Sequence, residues 1–399
     1  MNKGDLFTEG GNVVGKKKVA KEAIKCIPGA AKKKGKVWWL KVAGAVIVAT
    51  LNFSALADAA PAPLAAAWER VLAAAKKEGK VVVSGPVGAS VRDALTEGFQ
   101  KRYPSIRVEY DGSSTRDFAT RVAAERKAGK FLWDVFIHGS PETMVPMAVF
   151  EPLETALLLQ DVKNPKTWRG GAIEFYDPGK TVMVMTPFQR GTIFYNTNLV
   201  NEKEFKSYKD LLDPKWKGKL VVDDPRKSSG PGISTFSFFY VHPELGPDFI
   251  RALCKQQLTV LADYAQEVDI IGQGKYPVLI GTGDFAVVEK AKLGVPVGIV
   301  DPRQLKEGTD VSPANGDLAL FNRAPNPNAA KIYINWLLSK EGQTAFVRAQ
   351  GYVSSRLDVP TDHVPAWRVP NPGAIKSYTK EFLQLTGNVH QLVIEALGR

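Results

Sequence analysis

A chain of 399 residues, 44% apolar and with a formal charge of +12, holds ample hydrophobic material for two cored domains and lacks the composition of a disordered protein. The charge makes no case for nucleic acid, because residues 1 to 41 carry eleven lysines against Asp5, Glu9 and Glu22, leaving 42 basic and 38 acidic residues for the rest. With Cys26 and Cys254 as the two cysteines, no Cys-x-x-Cys and four scattered histidines, neither a disulfide framework nor a structural zinc site is expected.

The chain opens with a basic leader. A lysine-rich run from Lys32 to Lys36 precedes an apolar run from Val42 to Leu51 and a small-residue tail, in which Ala55-Leu56-Ala57 and Ala57-Asp58-Ala59 both fit a cleavage site. Together these features predict a signal peptide, with residues 1–59 removed and the mature chain exported to the periplasm. The competing reading, a membrane anchor from Val37 to Ala57, is interrupted by Lys41, Asn52 and Ser54. Cleavage would leave Cys254 as the single cysteine and rule out an intrachain disulfide.

After the leader, Leu64, Trp68, Val71, Leu72 and Ala75 recur at helical spacing up to Glu78-Gly79. A strand (Lys80 to Ser84), a Gly85-Pro86-Val87-Gly88 loop and a helix marked by Val91, Leu95, Phe99 and Tyr103 follow. The pattern repeats with a strand from Ile106 to Tyr110, a helix from Phe118 to Ala128 and a strand from Asp134 to His138. Strand, loop and helix in repetition predict a parallel sheet with helices on its faces, and such sheets bind ligands beyond the carboxyl ends of their strands. Those ends carry Ser84, Gly85, Ser113, Ser114 and Ser140, small groups able to cradle an anion at helix N-termini, although each alone suits a plain cap or turn.

Strands at Thr181 to Met185 and Thr192 to Tyr195 flank Pro187-Phe188-Gln189-Arg190, where the chain is expected to leave the first domain. Further strands are predicted at Lys219 to Asp223, Val260-Leu261, Pro277 to Ile280, Val295 to Val300 and Gly316 to Phe321. The helices between them cover Gly232 to Tyr240, Asp248 to Gln256, Glu267 to Gly272 and Phe285 to Leu293, and a helical pair split at Ser339 closes the series.

Gly191 to Pro225, with Tyr195-Asn196, Leu211-Leu212-Asp213-Pro214-Lys215-Trp216-Lys217-Gly218-Lys219 and Asp224-Pro225, resembles the crossing segment of family 1 extracellular solute-binding proteins, the receptors of ATP-driven (ABC) importers. The Pro325-to-Gln343 stretch is similar to the same family, and the likeness runs with gaps from about Leu64 to about Ser355. It implies an α/β fold of the type 2 periplasmic-binding class, two lobes with mainly parallel sheets joined by a two-strand hinge. The expected lobes are residues 61–189 plus 295–355 and residues 190–294 plus 356–399. The resemblance further implies a monomeric receptor, related to the ferric-iron, thiamine and phosphonate types, that passes a small solute to a membrane permease with its ATPase. No catalysis, cofactor or nucleic acid is expected.

Arg190 has the guanidinium fork for a carboxylate or phosphonate, with Ser228 and Ser229 on the facing loop, and Tyr195, Gly283 and Asp284 complete the expected binding set. Asp224 and Asp284 could instead receive an ammonium, so an anionic or zwitterionic solute is the reading. Two alternatives compete. Ferric-binding members of the resembled family place two adjacent tyrosines near Asp284-Phe285, and this chain has no Tyr-Tyr, so iron would need other ligands. Gly281-Thr282-Gly283-Asp284-Phe285-Ala286 matches G-x-G-x-x-A, with Asp301 closing the next strand, which raises an exported NAD-binding oxidoreductase. No G-x-S-x-G or H-E-x-x-H is present.

Overall fold

Gly79, at φ 71°, turns the first helix, α1 (Ala62–Glu78), into the first strand, β1 (Lys80–Gly85), a left-handed step that glycine makes without a Cβ clash. The computed structural model describes residues 62–139, 141–227, 230–371 and 373–398, so the leader, its cleavage sites, Ser140, Ser228 and Ser229 lie outside the described residues. From β1 the chain runs through α2 (Ala89–Arg102), β2 (Arg107–Gly112), α3 (Thr115–Lys127) and β3 (Val135–His138). β1 pairs in parallel with both β2 and β3, and Val91, Leu95 and Phe99, one helical turn apart, bury one face of α2 in the core beneath them. Asp134 locks this lobe: its carboxylate accepts from the backbone of Val82 (2.7 Å) and from the backbone and side-chain amides of Asn326 (2.7 and 2.9 Å).

Short turns then connect β4 (Phe150–Glu151), α4 (Gln160–Lys163) and β5 (Val182–Val184) to β6 (Phe188–Gln189), where the chain crosses. The second lobe comprises β7 (Ile193–Asn196), β8 (Leu220–Asp223), α5 (Pro231–Val241), α6 (Gly246–Cys254), β9 (Thr259–Leu261), α7 (Tyr264–Gly272), β10 (Val278–Ile280), α8 (Asp284–Lys292) and β11 (Val297–Ile299). Its sheet has the order β11-β7-β10-β8-β9, with β8 parallel to β9 and β10, and β7 antiparallel to β10 and β11. The return strand β12 (Val311–Ser312) pairs antiparallel with β6, and the two form a separate ribbon, the hinge. β13 (Asp317–Phe321) then enters the first sheet, whose order is β2-β1-β3-β13-β4 with β5 also on β13.

α9 (Pro327–Leu337) and α10 (Lys340–Gln350) pack on the first core, whereas α11 (Lys380–Gln384) and α12 (Thr386–Leu397) send Phe382, Val389, Leu392 and Val393 into the second. The architecture is the expected pair of α/β lobes with a two-strand hinge, but the sheets are mixed and not mainly parallel. In the first, β1 pairs in parallel with β2 and β3 while β13 runs antiparallel to β3, β4 and β5, and in the second β8 is parallel to its neighbours while β7 is antiparallel to both of its own. The strand pairings draw the lobe limits differently from the sequence. β11 stays with the second sheet, so the return falls at β12 and not at residue 295. Val359 is buried in the first core and Phe382 in the second, so the last transfer lies between them rather than at residue 356.

Sheet order also removes the basis for a dinucleotide site. The Gly281 motif does join β10 to α8, but β7 separates β10 from β11, so no parallel β-α-β unit forms there. Asp301 caps the following turn, accepting from the backbone of Arg303 at 2.9 Å and from its guanidinium at 3.0 Å.

Candidate functional site

The carboxyl ends of β1, β2 and β3 form one sheet edge, the carboxyl ends of β8 and β10 another, and the crossings β6 and β12 run between them. On the first edge Ser84 is fully buried, with its hydroxyl 2.8 Å from His138 Nε2. His138 stacks on Phe118 (ring centroids 5.2 Å apart), and burial pushes its pKa down to about 3, so the ring is neutral. Gly85 lies under the Tyr110 ring, where a Cβ would fall 2.5 Å from the phenol oxygen, and that phenol donates to the Pro86 carbonyl at 2.7 Å. Ser113 donates to Asp111 at 3.0 Å, and Ser114 caps α3 by accepting from the Asp117 backbone at 3.2 Å. The serines therefore hold the loops in shape. Among the first-edge helices, α2 begins at Gly88 with no side-chain cap, leaving backbone N–H groups at its start.

The second edge is more acidic. Asp223, fully buried at the end of β8, accepts from the Gly232 backbone at 2.8 Å and from Lys227 Nζ at 2.5 Å. Gly232 is required there, since a Cβ would approach the Asp223 carbonyl to 2.4 Å. Behind it lies Glu267 of α7, also fully buried, which accepts from the Thr282 hydroxyl at 2.5 Å through one oxygen while the other has no hydrogen-bond donor among the described residues. Burial, with the neighbouring Asp223 charge, raises Glu267 to about 7. Lys227 also donates to the Ala262 carbonyl (2.9 Å) and lies 5.2 Å from the Tyr264 ring centre. Tyr264 meets Phe285 edge to face, and Phe285, in the first turn of α8, is 64% exposed. Gly230 and Gly283 cap α5 and α8 without a side-chain bond.

Two of the expected binding residues are placed elsewhere. Arg190 directs Nε and one terminal nitrogen to the carboxylate of Asp310 at 3.1 and 2.8 Å, and both residues are buried, so its fork binds the protein's own acid. Tyr195 sits on β7, which runs against β8 and β10, so it lies beside Val278 at the start of β10, away from the carboxyl ends. Its side chain packs in the second core, with the hydroxyl 3.3 Å from Glu202. Asp284 stands at the second edge, where it accepts from the Gly191 backbone (2.9 Å) and ion-pairs with Arg368 (3.2 Å). Its pKa is raised by burial against the opposing pull of Arg368.

Arg190, Asp310, Asp284 and Arg368 thus form a buried network of two cations and two anions around the hinge. Arg368 also covers Phe188 of β6 (5.2 Å to the ring centre), and the Gln189 amide, with its nitrogen turned inward, reaches the carbonyls of Trp367 (2.8 Å) and Val369 (3.0 Å). The sequence reading missed Asp310, Arg368, Glu267 and Asp317. Asp310 and Asp317 flank the return strand in Asp-Val-Ser-Pro-Ala-Asn-Gly-Asp, an acidic spacing that could have marked the crossing. The arrangement offers helix starts for an anionic group and buried acids for a cationic one.

Residues 94–371 match the family model described as bacterial extracellular solute-binding protein. The chain is 23% identical over 311 residues to an uncharacterized protein of Haemophilus influenzae, covering 73% of this chain and 82% of that one. In structure it is similar to the apo ferric ion-binding protein A of Pasteurella haemolytica (TM-score 0.61, 16% identity, 80% of this chain and 98% of that one). It is also similar to Trichodesmium FutA in complex with iron and citrate (TM-score 0.59, 17% identity, 80% and 99%). Among the described residues no helix is long and apolar enough to cross a membrane, and no three His, Cys, Asp or Glu side chains gather as a metal site.

Proposed function

The chain belongs to the bacterial extracellular solute-binding protein family, and from that premise we propose that it captures a small polar solute, anionic or zwitterionic, between its lobes for an ABC importer. Export to the periplasm, the permease with its ATPase and a monomeric mature form are parts of the same proposal. The observation that carries it is the pairing of strand ends across a two-strand hinge. Glycine-capped helix starts at Gly88 on one lobe and at Gly230 and Gly283 on the other flank the crossings, with Asp223, Glu267 and Asp284 beside them. A molecule held by both edges makes more contacts with the lobes closed than open, so capture favours the closed form that a permease would read. Gly85, Ser113, Ser114, Gly283 and Asp284 remain candidates for the lining, with Ser84 holding His138 beneath it.

A thermal-shift screen of the chain from Ala60 with amino acids, phosphonates, polyamines, thiamine, ferric citrate and NAD(H) tests this. A ligand that binds only the folded state stabilises it by about 2.7 kcal/mol at one hundred times its Kd. A clear rise with one small organic solute is the expected result. A rise with NAD(H) alone would replace the receptor with an enzyme. Ferric citrate belongs in the panel because the solved relatives include iron-bound ones; a coloured, stabilised ferric complex would favour iron capture.

A further inference from the structure

Asp317 opens β13 just after the chain has crossed back, opposite His138 on β3 and Val184 on β5. It is 1% exposed, and among the described residues neither carboxylate oxygen has a hydrogen-bond partner. Acids elsewhere in the interior are satisfied: Asp134 by three N–H donors, Asp310 by Arg190, and the partly buried Asp284 by Arg368 and the Gly191 backbone. A buried carboxylate without donors is costly, and the cost disappears only when it takes up a proton or meets a cation.

Among the described residues, no cation pairs with Asp317. His138 is neutral, and Glu142, from the turn at Pro141–Thr143, adds a charge of the same sign. Tyr176 and Tyr378 lie within electrostatic reach of Asp317, and the buried Tyr378 hydroxyl faces Glu174. Lys376 is paired with Glu174 at 2.5 Å. Burial pushes Tyr176 up to about 12 and Tyr378 higher still, so both phenols are protonated in the ligand-free protein. A monovalent organic cation, which needs acceptors and one negative charge, suits this set.

We propose that Asp317 anchors the protonated amine of the captured solute, in the negative field of Glu142 and with the Tyr378 hydroxyl as a second acceptor. The inference rests on the solute-capture reading and narrows it to amine-bearing solutes, whose anionic end would meet the glycine-capped helix starts. Asp317→Asn and Asp317→Leu test it without a known ligand. An acid with no structural partner should be dispensable, so both variants should melt at or above the ligand-free wild-type midpoint. Thermal shift is then measured with 2-aminoethylphosphonate, γ-aminobutyrate and putrescine, each beside its amine-free counterpart: ethylphosphonate, butyrate and 1,4-butanediol. The wild type should respond to an amine-bearing member and not its counterpart, and Asp317→Asn should weaken that binding tenfold or more. A lowered midpoint in both variants, equal response to both members of a pair, or unchanged amine affinity in Asp317→Asn would overturn the anchor while leaving capture intact. No wild-type response to any probe would overturn the capture reading and the anchor with it.

Discussion

The hinge and the floor beside it treat buried charge in opposite ways. At the hinge, Arg190 and Asp310 saturate one another, and Asp284 meets Arg368. At the sheet edges, among the described residues, Asp317 has two oxygens without hydrogen-bond partners and Glu267 has one. Paired charges that cross between chain segments fix a geometry, and removing one member strands the other. Unpaired acids fix nothing and weaken the empty protein, which makes sense where a solute is to complete them.

The largest expected effect breaks the paired side. Asp310→Ala leaves the Arg190 guanidinium buried without its acid and should cost about 3–5 kcal/mol in denaturant unfolding. Arg190→Ala should cost a similar amount, where the sequence alone pointed to a ligand contact. A stability loss within ~0.5 kcal/mol for either would show that the pair does not hold the hinge.

A second prediction concerns the unpaired side. Because Glu267 is raised to about 7, its folded form holds a proton more tightly than the unfolded chain does. Stability should therefore be lost as pH rises from about 4.5 to about 7, by roughly 1–3 kcal/mol. Glu267→Gln, followed by melting at pH 4.5 and 7.5, should flatten that decline; an unchanged slope would place the titration elsewhere. The smallest effect is at Phe285, whose exposed ring has little to lose on truncation. Phe285→Ala should change stability by no more than ~0.5 kcal/mol, yet lower affinity for whichever solute is captured, and isothermal titration would read the difference.

Most strands and helices were legible because apolar side chains recur with the period of the element they build, as in Val91, Leu95 and Phe99 or Leu318 and Leu320. Sheet membership was not. β11 has the composition of a strand in either lobe, and only its pairing with β7 assigns it. The direction of β7 was equally hidden, so Tyr195 was counted at the wrong end of the sheet. Arg190 shows a different limit: the fork was matched to the right chemistry, a carboxylate, but the partner is Asp310, 120 residues away in the same chain. Long-range pairs of this kind leave no local periodicity. The unpaired state of Asp317 is further from reach, since it depends on what four separate segments fail to donate.

The most direct test sets the two acids of the return crossing side by side. Ligand-free Asp310→Ala and Asp317→Asn would be melted under identical conditions at pH 7. The account predicts opposite outcomes: a clear fall for Asp310→Ala, and a midpoint at or above wild type for Asp317→Asn. A comparable fall in both would mean that Asp317 is as structural as Asp310, contradicting the division between charges that hold the hinge and charges kept for the solute.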